Sequence, residues 1–195
     1  MGATQIIGKR EGQTRRELLR NAQRGVAAVA LGGVGAFCPR TARADGAPMA
    51  VLKSAAIVKL LESFGETLVP GASEAGLAHY IDDQLAKRPE DSLLMIRYMD
   101  IPPPHDGFYV GAMAALDASS KVRFGAPFTE LSTDQKRAFV GELSSGNPPG
   151  WSGPPSPLVY FVVRADAVDV VYGTEEGFER LGVPYLPHIA PETNW

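Results

Sequence analysis

The stretch PLVYFVVRADAVDVVYG, residues 157–173, decides the fold class, because its pattern is compatible with a strand or with a helix. Taken alone, the β-branched and aromatic run 158–163 is typical of a buried strand. Over the whole stretch, apolar residues recur at helical spacing, and Arg164, Asp166 and Asp169 fall on another face. We therefore predict a helix. The apolar positions are Leu158, Phe161, Val162, Ala165, Val168 and Tyr172.

The segments before this stretch also favour helices. SAAIVKLLESFGETL, residues 54–68, carries apolar residues at Ile57 and then three, four, seven and eleven positions later, and Val69-Pro70-Gly71 ends it. We expect Ser73 to cap a second helix, in which Leu77, Ile81 and Leu85 are four apart. The run DSLLMIRYMD, which starts at Asp91, predicts a short buried helix that the prolines after it terminate.

The remaining pattern completes an all-α protein. Residues 108–125 are rich in small side chains, so we expect a close contact with a neighbour. Ser132 begins a further helix with Phe139 and Leu143 on its inner face, and a Pro/Gly loop occupies 146–157. A last short helix runs from the cap Thr174 to Gly182, and the prolines of 183–195 permit only an extended arm. The prediction is a small bundle of about five or six helices with proline-rich loops and an extended C-terminal arm.

The N-terminus has the order of an export signal. Arg15 and Arg16 precede an apolar run at 25–37 that is too short for a spanning helix of about 20 residues. Ala42-Arg43-Ala44 then forms an A-x-A cleavage motif before Asp45. The segment resembles a twin-arginine (Tat) signal, so we predict a signal peptide at 1–44, a mature domain at 45–195 and a periplasmic protein. The alternative is an ordinary basic N-terminus followed by a buried helix.

Charge and cysteine content exclude several classes of protein. Of 19 basic and 22 acidic side chains, the first 44 residues hold 8 and 2, which leaves 11 and 20 and a net charge of −9 for the rest. This acidic body argues against nucleic acid, because phosphate binding needs clustered Lys and Arg. The single cysteine, Cys38, lies in the predicted signal. The mature chain therefore has no thiol for a disulfide, a haem attachment or a metal site.

The sequence offers only weak candidates for catalytic or metal-binding residues. His79, His105 and His188 are far apart and form no metal-binding motif. The adjacent acids Asp82-Asp83 and Glu175-Glu176 point about 100° apart on a helix, so we interpret both pairs as solvated faces. No phosphate-binding glycine motif and no nucleophile elbow occurs. We therefore predict no catalytic, cofactor-binding or metal-ligating residue in this chain.

Aromatic and proline residues gather in the C-terminal third. Aromatic side chains lose little entropy when buried and anchor interfaces, and proline-rich arms are already stiff. We predict a partner-binding surface there, with the alternative that these side chains cover the protein's own core. The predicted surface comprises Trp151, Tyr172, Phe178, Leu181, Pro184, Tyr185, Pro187, His188 and Trp195.

Three segments resemble a known family. They are LVPGASEAGLAHYIDDQL (68–85), FTELSTDQKRAFVGEL (128–143) and VVYGTEEGFERLGVPYLPHIAP (170–191). Together with the leader they resemble subunit 3, the small or gamma subunit, of gluconate 2-dehydrogenase-type complexes. Many members have a Gly-Gly-Asn run and a Trp in the last motif, whereas here Asn147 and Trp151 come earlier and Phe178 takes the late aromatic place.

The resemblance implies a non-catalytic subunit. Its large partner would be a flavoprotein of the glucose-methanol-choline type that carries FAD and oxidises a sugar acid, a sugar or an alcohol. A cytochrome c subunit with haem would receive the electrons. The small subunit would carry the export signal for the Tat translocase on behalf of both. Two other classes stay open: a free-standing exported enzyme or ligand-binding domain that uses the histidines, and a cell-envelope interaction protein without a redox partner.

The paired arginines of the leader can be tested by substitution. Replacing Arg15→Lys together with Arg16→Lys keeps the charge but removes the paired guanidinium groups, so we expect the chain to accumulate in the cytoplasm. Cell fractionation with immunodetection measures this, and the single Arg24→Lys change is the control. Undiminished export of the double variant would contradict the twin-arginine prediction.

Overall fold

The computed structural model describes residues 49–184, and within this range it contains six α-helices and three short 3₁₀-helices but no strand. The all-α prediction is therefore confirmed. The α-helices are α1 (Ala55–Leu68), α2 (Leu77–Ala86), α3 (Asp106–Phe124), α4 (Thr133–Ser145), α5 (Ser156–Tyr172) and α6 (Glu175–Leu181). The 3₁₀-helices are Pro89–Asp91, Met95–Tyr98 and Phe128–Glu130.

Helix α1 lies at the centre of the bundle and contacts α2, α3, α4 and α5. Leu61 and Phe64 on its inner face are fully buried. The ring of Phe64 packs edge-on against Phe128 at a centroid distance of 5.9 Å, and Phe128 in turn lies 6.2 Å from Phe139 of α4. Each fully buried side chain of this size stabilises the fold by about 1.5–3 kcal/mol. The aromatic cluster therefore joins α1 to α4.

Helix α5 confirms the helical interpretation of 157–173, but its buried face differs from the apolar face that the spacing indicated. Val159, Val162, Val163 and Asp166 are fully buried, whereas Phe161 is 47% exposed. Apolar residues lie on both sides of this helix, so periodicity alone could not select the inner one. The prediction that Asp166 lies on a different face of the helix from the buried residues was wrong.

Helix α4 starts after Ser132, as predicted, and the structure shows that this start is a capping box. Ser132 Oγ accepts a hydrogen bond from the Gln135 backbone N–H at 3.3 Å, and Gln135 Oε1 accepts one from the Ser132 backbone N–H at 2.9 Å. This satisfies two backbone donors that the helix cannot pair and contributes about 1 kcal/mol. Phe139 and Leu143 are fully buried, which confirms the predicted inner face.

The start of α2 differs from expectation. Gly76, with φ of 84°, is the residue before the helix, and Ser73 lies in the preceding turn. The carboxylate of Glu66 caps that turn by accepting from the backbone N–H groups of Gly71 and Ser73 at 3.0 and 3.2 Å. Only Gly adopts such a left-handed conformation without steric cost, so the chain enters α2 at Gly76. The predicted Ser73 cap was wrong.

The segment after α2 forms 3₁₀-helices instead of the predicted buried helix. In it Leu94 and Ile96 are fully buried, but Leu93 is 58% and Tyr98 62% exposed. Residues 92–94 form no helix, and the 3₁₀-helix Met95–Tyr98 has three residues per turn, so different side chains turn inward than in an α-helix. Arg97 stacks over the Tyr98 ring at 5.3 Å from its centroid.

Helix α3 packs closely against the Pro/Gly loop that follows α4. A Cβ at Gly153 would lie 2.7 Å from Ala115 Cβ and 3.1 Å from the Gly111 carbonyl oxygen. Ser119 Oγ donates to the Pro149 carbonyl oxygen at 2.7 Å. The predicted close contact is therefore confirmed, because the small residues of 108–125 allow another backbone segment to approach α3.

Helix α6 is fixed against the end of α5. Thr174 Oγ1 accepts from the Gly177 backbone N–H at 3.1 Å, and Gly182, with φ of 66°, ends the helix. Both predicted caps are confirmed. A Cβ at Gly177 would lie 2.5 Å from Tyr172 Cα and 2.6 Å from the Val171 carbonyl oxygen. Since both atoms belong to the backbone of α5, only glycine permits this approach.

The predicted signal peptide, its cleavage residues Ala42, Ala44 and Asp45, and the arm from Tyr185 onward lie outside the described residues. The domain limits of 1–44 and 45–195 therefore stay predictions.

Gly177→Ala tests how α6 is held. We expect the added methyl group to push α6 from α5 at a cost of about 1–3 kcal/mol, more than the roughly 1 kcal/mol gained from helix propensity. Amide hydrogen exchange of α6 measures the loss. The matched control is Gly141→Ala in α4, where a Cβ meets nothing within 4 Å, and this change should leave exchange in α6 unaltered. Equal protection of α6 in both variants would contradict the close contact.

Candidate partner surface and buried polar centre

A buried carboxylate joins three elements of the bundle. Asp166 of α5 is fully buried. Its Oδ1 accepts a hydrogen bond from the Met95 backbone N–H at 2.8 Å, and its Oδ2 accepts one from the Tyr109 hydroxyl at 2.7 Å. Met95 begins a 3₁₀-helix and Tyr109 lies on α3. We name Asp166, Tyr109 and the Met95 amide the buried polar centre.

Burial dominates the electrostatics of this centre. It raises the pKa of Asp166 to about 6, although the hydrogen bonds from Met95 and Tyr109 act in the opposite direction. Burial, together with the charge of Asp166, raises the pKa of Tyr109 well above its ordinary value and that of Tyr80 to about 12. Because Asp166 and Tyr109 are fully enclosed, they act on the packing of the chain and do not reach a dissolved substrate.

A cavity of about 570 Å³ opens between α2 and the start of α3. Its polar side chains are largely engaged: Lys87 pairs with Asp83 at 2.8 Å, and Gln84 Oε1 accepts from the Leu93 N–H at 2.8 Å. His105 lines the wall with its Nε2 3.0 Å from the Ile101 carbonyl oxygen, so this nitrogen donates. The lining residues are Val51, Gln84, Leu85, Lys87, Pro89, Ser92, Pro103, Pro104, His105 and Asp106.

Two of the three histidines lie within the described residues. His79 is half-buried on α2, His105 is buried before α3, and His188 lies outside the described range. Between residues 49 and 184, no group of three or more His, Cys, Asp or Glu side chains is placed to hold a metal ion.

One of the two acidic pairs was misinterpreted. Asp83 is exposed, but Asp82 is only 6% exposed and accepts hydrogen bonds from the backbone N–H groups of Ala50, Val51 and Leu52 at 2.8, 2.8 and 2.7 Å. Burial alone would raise the pKa of Asp82, but these three bonds outweigh it and hold the pKa below its ordinary value. The prediction of a solvated face for Asp82 was wrong, because its hydrogen-bond donors come from 30 to 32 residues away in the sequence. In the other pair Glu175 is exposed and Glu176 half-buried.

The predicted partner surface divides into packed and exposed members. Trp151 and Tyr172 are half-buried against the core, and Trp151 Nε1 donates to the Pro154 carbonyl oxygen at 2.7 Å. Phe178 is half-buried, whereas Leu181 is 57% exposed and Pro184 is exposed. Tyr185, Pro187, His188 and Trp195 lie outside the described range.

Next to the exposed members in the sequence lies a further exposed apolar residue, Val183, which the sequence analysis missed. Val183 is 48% exposed, and it follows the left-handed Gly182 that ends α6. We name Leu181, Val183 and Pro184 the C-terminal patch. The alternation of apolar side chains around a C-capping glycine was the signal that could have identified Val183.

No helix within residues 49–184 combines the length and the apolar character needed to cross a membrane. The described fold is thus a small helical domain with an enclosed polar centre and an apolar patch where the chain leaves the bundle. The family model described as Gluconate 2-dehydrogenase subunit 3 matches residues 55–190, and the chain belongs to this family. The earlier resemblance to the small subunit of a dehydrogenase complex is thereby confirmed. Neither the comparison with curated proteins nor the comparison with solved structures gave a match.

Asp166→Asn tests the buried polar centre. The folded carboxyl holds its proton up to about pH 6 and the unfolded one only to about 3.8, so the folded state binds more protons in between. The free energy of unfolding contributed by Asp166 therefore falls by about 3 kcal/mol as pH rises through this window. An amide can accept from Met95 and donate to Tyr109 without a charge, so the variant should lack this loss.

Urea unfolding at several pH values between about 4 and 7.5 measures the difference. We expect the stability of the variant relative to the wild type to increase with pH. Asp83→Asn, at an exposed position in α2, is the control. Parallel pH curves for wild type and Asp166→Asn would contradict the assignment.

Proposed function

We propose that this chain is the non-catalytic small subunit of a periplasmic, FAD-dependent dehydrogenase complex of the gluconate 2-dehydrogenase type. It binds the flavoprotein large subunit, stabilises it and carries it through the Tat translocase. FAD resides in the large subunit, and haem resides in a cytochrome c subunit. The chain itself contributes contact area and an export signal, and no reacting group.

The observation that carries the proposal is the family match over residues 55–190. This range includes all six described helices and extends past the C-terminal patch. Membership in a family of dehydrogenase-complex subunits makes a partner chain part of the proposed function. We therefore expect another protein to cover part of the surface of the helical domain.

The C-terminal patch is the part of the described surface that best fits such a partner. Leu181 lies on a helix that Thr174 caps and that Gly177 seats against α5, so the side chain is held on a fixed support. Covering one exposed leucine contributes up to about 1.5–3 kcal/mol. Charged neighbours on the same helix supply the polar rim that interfaces have. These neighbours are Glu175, Glu176, Glu179 and Arg180.

The export role joins the two ends of the chain. The twin-arginine route moves folded proteins, so a partner bound at the body crosses with it. In this proposal Arg15 and Arg16 address the folded pair, and the flavoprotein needs no signal of its own. Activity of the complex in the periplasm then depends on this chain even though the chain reacts with nothing.

Affinity purification of the tagged full-length chain from the cell envelope tests the proposal. We expect a second, larger polypeptide and the absorbance of bound flavin in the eluate. A chain that elutes alone, or that turns over a sugar or alcohol without a flavoprotein, would overturn the proposal and favour a free-standing enzyme or ligand-binding domain.

Leu181→Arg tests the location of the interface. A guanidinium group buried without a partner costs more than the leucine contributes, so we expect at least a tenfold loss of co-purified flavoprotein. Leu93→Arg is a matched control, because Leu93 is 58% exposed and lies in the loop between two 3₁₀-helices. Flavin absorbance per tagged chain gives the measurement. Loss with Leu93→Arg and not with Leu181→Arg would place the interface elsewhere.

A further inference from the structure

The start of the mature chain is held by one carboxylate. The three consecutive backbone N–H groups of Ala50, Val51 and Leu52 all point to Asp82, at 2.7–2.8 Å. Leu52 is 2% exposed, so its side chain is also seated in the core. Hydrogen bonds to an ionised carboxylate are roughly twice as strong as neutral ones. This arrangement, the Asp82 clamp, ties the segment before α1 to α2.

The clamp forms only in the folded chain. The donors and the acceptor are 30 to 32 residues apart, so they meet only after α1 and α2 have packed against each other. On α2, the neighbours Ala78 and Ile81 are fully buried and orient Asp82 toward the chain start. The hydrogen bonds from residues 50–52 to Asp82 therefore form only when α1 and α2 have folded and packed against each other.

The clamp also lies close to the predicted processing site. Five residues, 45–49, separate the predicted cleavage after Ala44 from the first clamped amide. Five extended residues span at most about 18 Å. The folded boundary at Ala50 thus sets how far from the body the export signal begins.

We propose that the Asp82 clamp couples completed folding of the body to export, by fixing the mature N-terminus and hence the distance between body and signal. The export part of this inference rests on the proposed function. The clamp itself rests only on the described contacts. A body without the clamp presents its signal on a longer and unattached segment, as an incompletely folded body does.

Trypsin provides a direct assay of the clamp. Lys53 is exposed and directly follows the clamped residues, and a protease needs several residues on both sides of the bond in extended form. In the purified full-length chain, Asp82→Ala should speed appearance of the fragment that begins at Ser54 at least tenfold, as intact mass reveals. Asp83→Ala, at the adjacent exposed position, should change the rate less than twofold.

A second variant tests the same contact from the donor side. Ala50→Pro removes one of the three N–H donors and leaves α2 untouched, so cleavage should accelerate severalfold. If circular dichroism shows that Asp82→Ala has lost helical content, the Ala50→Pro variant alone tests the clamp. Cleavage at the wild-type rate in Ala50→Pro, or in a folded Asp82→Ala variant, would overturn the clamp.

Export is measured on the same variants in cells. We expect the periplasmic fraction to fall at least threefold for Asp82→Ala and to stay unchanged for Asp83→Ala. Faster cleavage with undiminished export would overturn the coupling. The Arg15→Lys, Arg16→Lys chain separates the two proposals: if it is exported normally, the twin-arginine role fails, while the trypsin result on the clamp stands independently.

Discussion

The carboxylate of Asp166 holds three elements of the described fold together. A buried carboxylate that loses its partners costs several kcal/mol, so the elements that supply them must stay where they are. The Met95 amide and the Tyr109 hydroxyl hold a 3₁₀-helix and α3 against α5. Helix α1 contacts both α3 and α5 of this arrangement, and it also contacts α2 and α4. The bundle is therefore defined by a polar contact as much as by its apolar core.

The two buried aspartates show how one residue type acquires opposite properties. Asp82 accepts three backbone hydrogen bonds, and its pKa falls below the ordinary value. Asp166 accepts two hydrogen bonds in a deeper place, and burial raises its pKa to about 6. Each ties together segments that are distant in sequence, one at the start of the body and one in its middle. Both contacts stiffen a body that, in our proposal, transmits a partner's attachment to an export signal.

The exposed apolar residues at the end of α6 are the part of the described domain that we propose a partner covers. The aromatic residues Trp151 and Tyr172 pack against the protein's own core, and the C-terminal patch, which we propose that a partner covers, is aliphatic. The patch lies directly after a last helix that is fixed by its cap and by the close approach of Gly177 to α5.

The sequence by itself determined the all-α class, the helix in the stretch 157–173, the helix start at Ser132, the caps of α6 and the family resemblance, because these depend on local spacing and on short motifs. It left the signal peptide, the extended arm and the partner residues beyond Pro184 as predictions. Only the tertiary structure decided which face of α5 is buried, that Leu93 and Tyr98 point outward, and that Asp82 is a clamp. The physical reason is that apolar periodicity cannot choose between two apolar faces. Nor can it reveal donors that arrive from 30 or 71 residues away, and such donors decide where a carboxylate is buried.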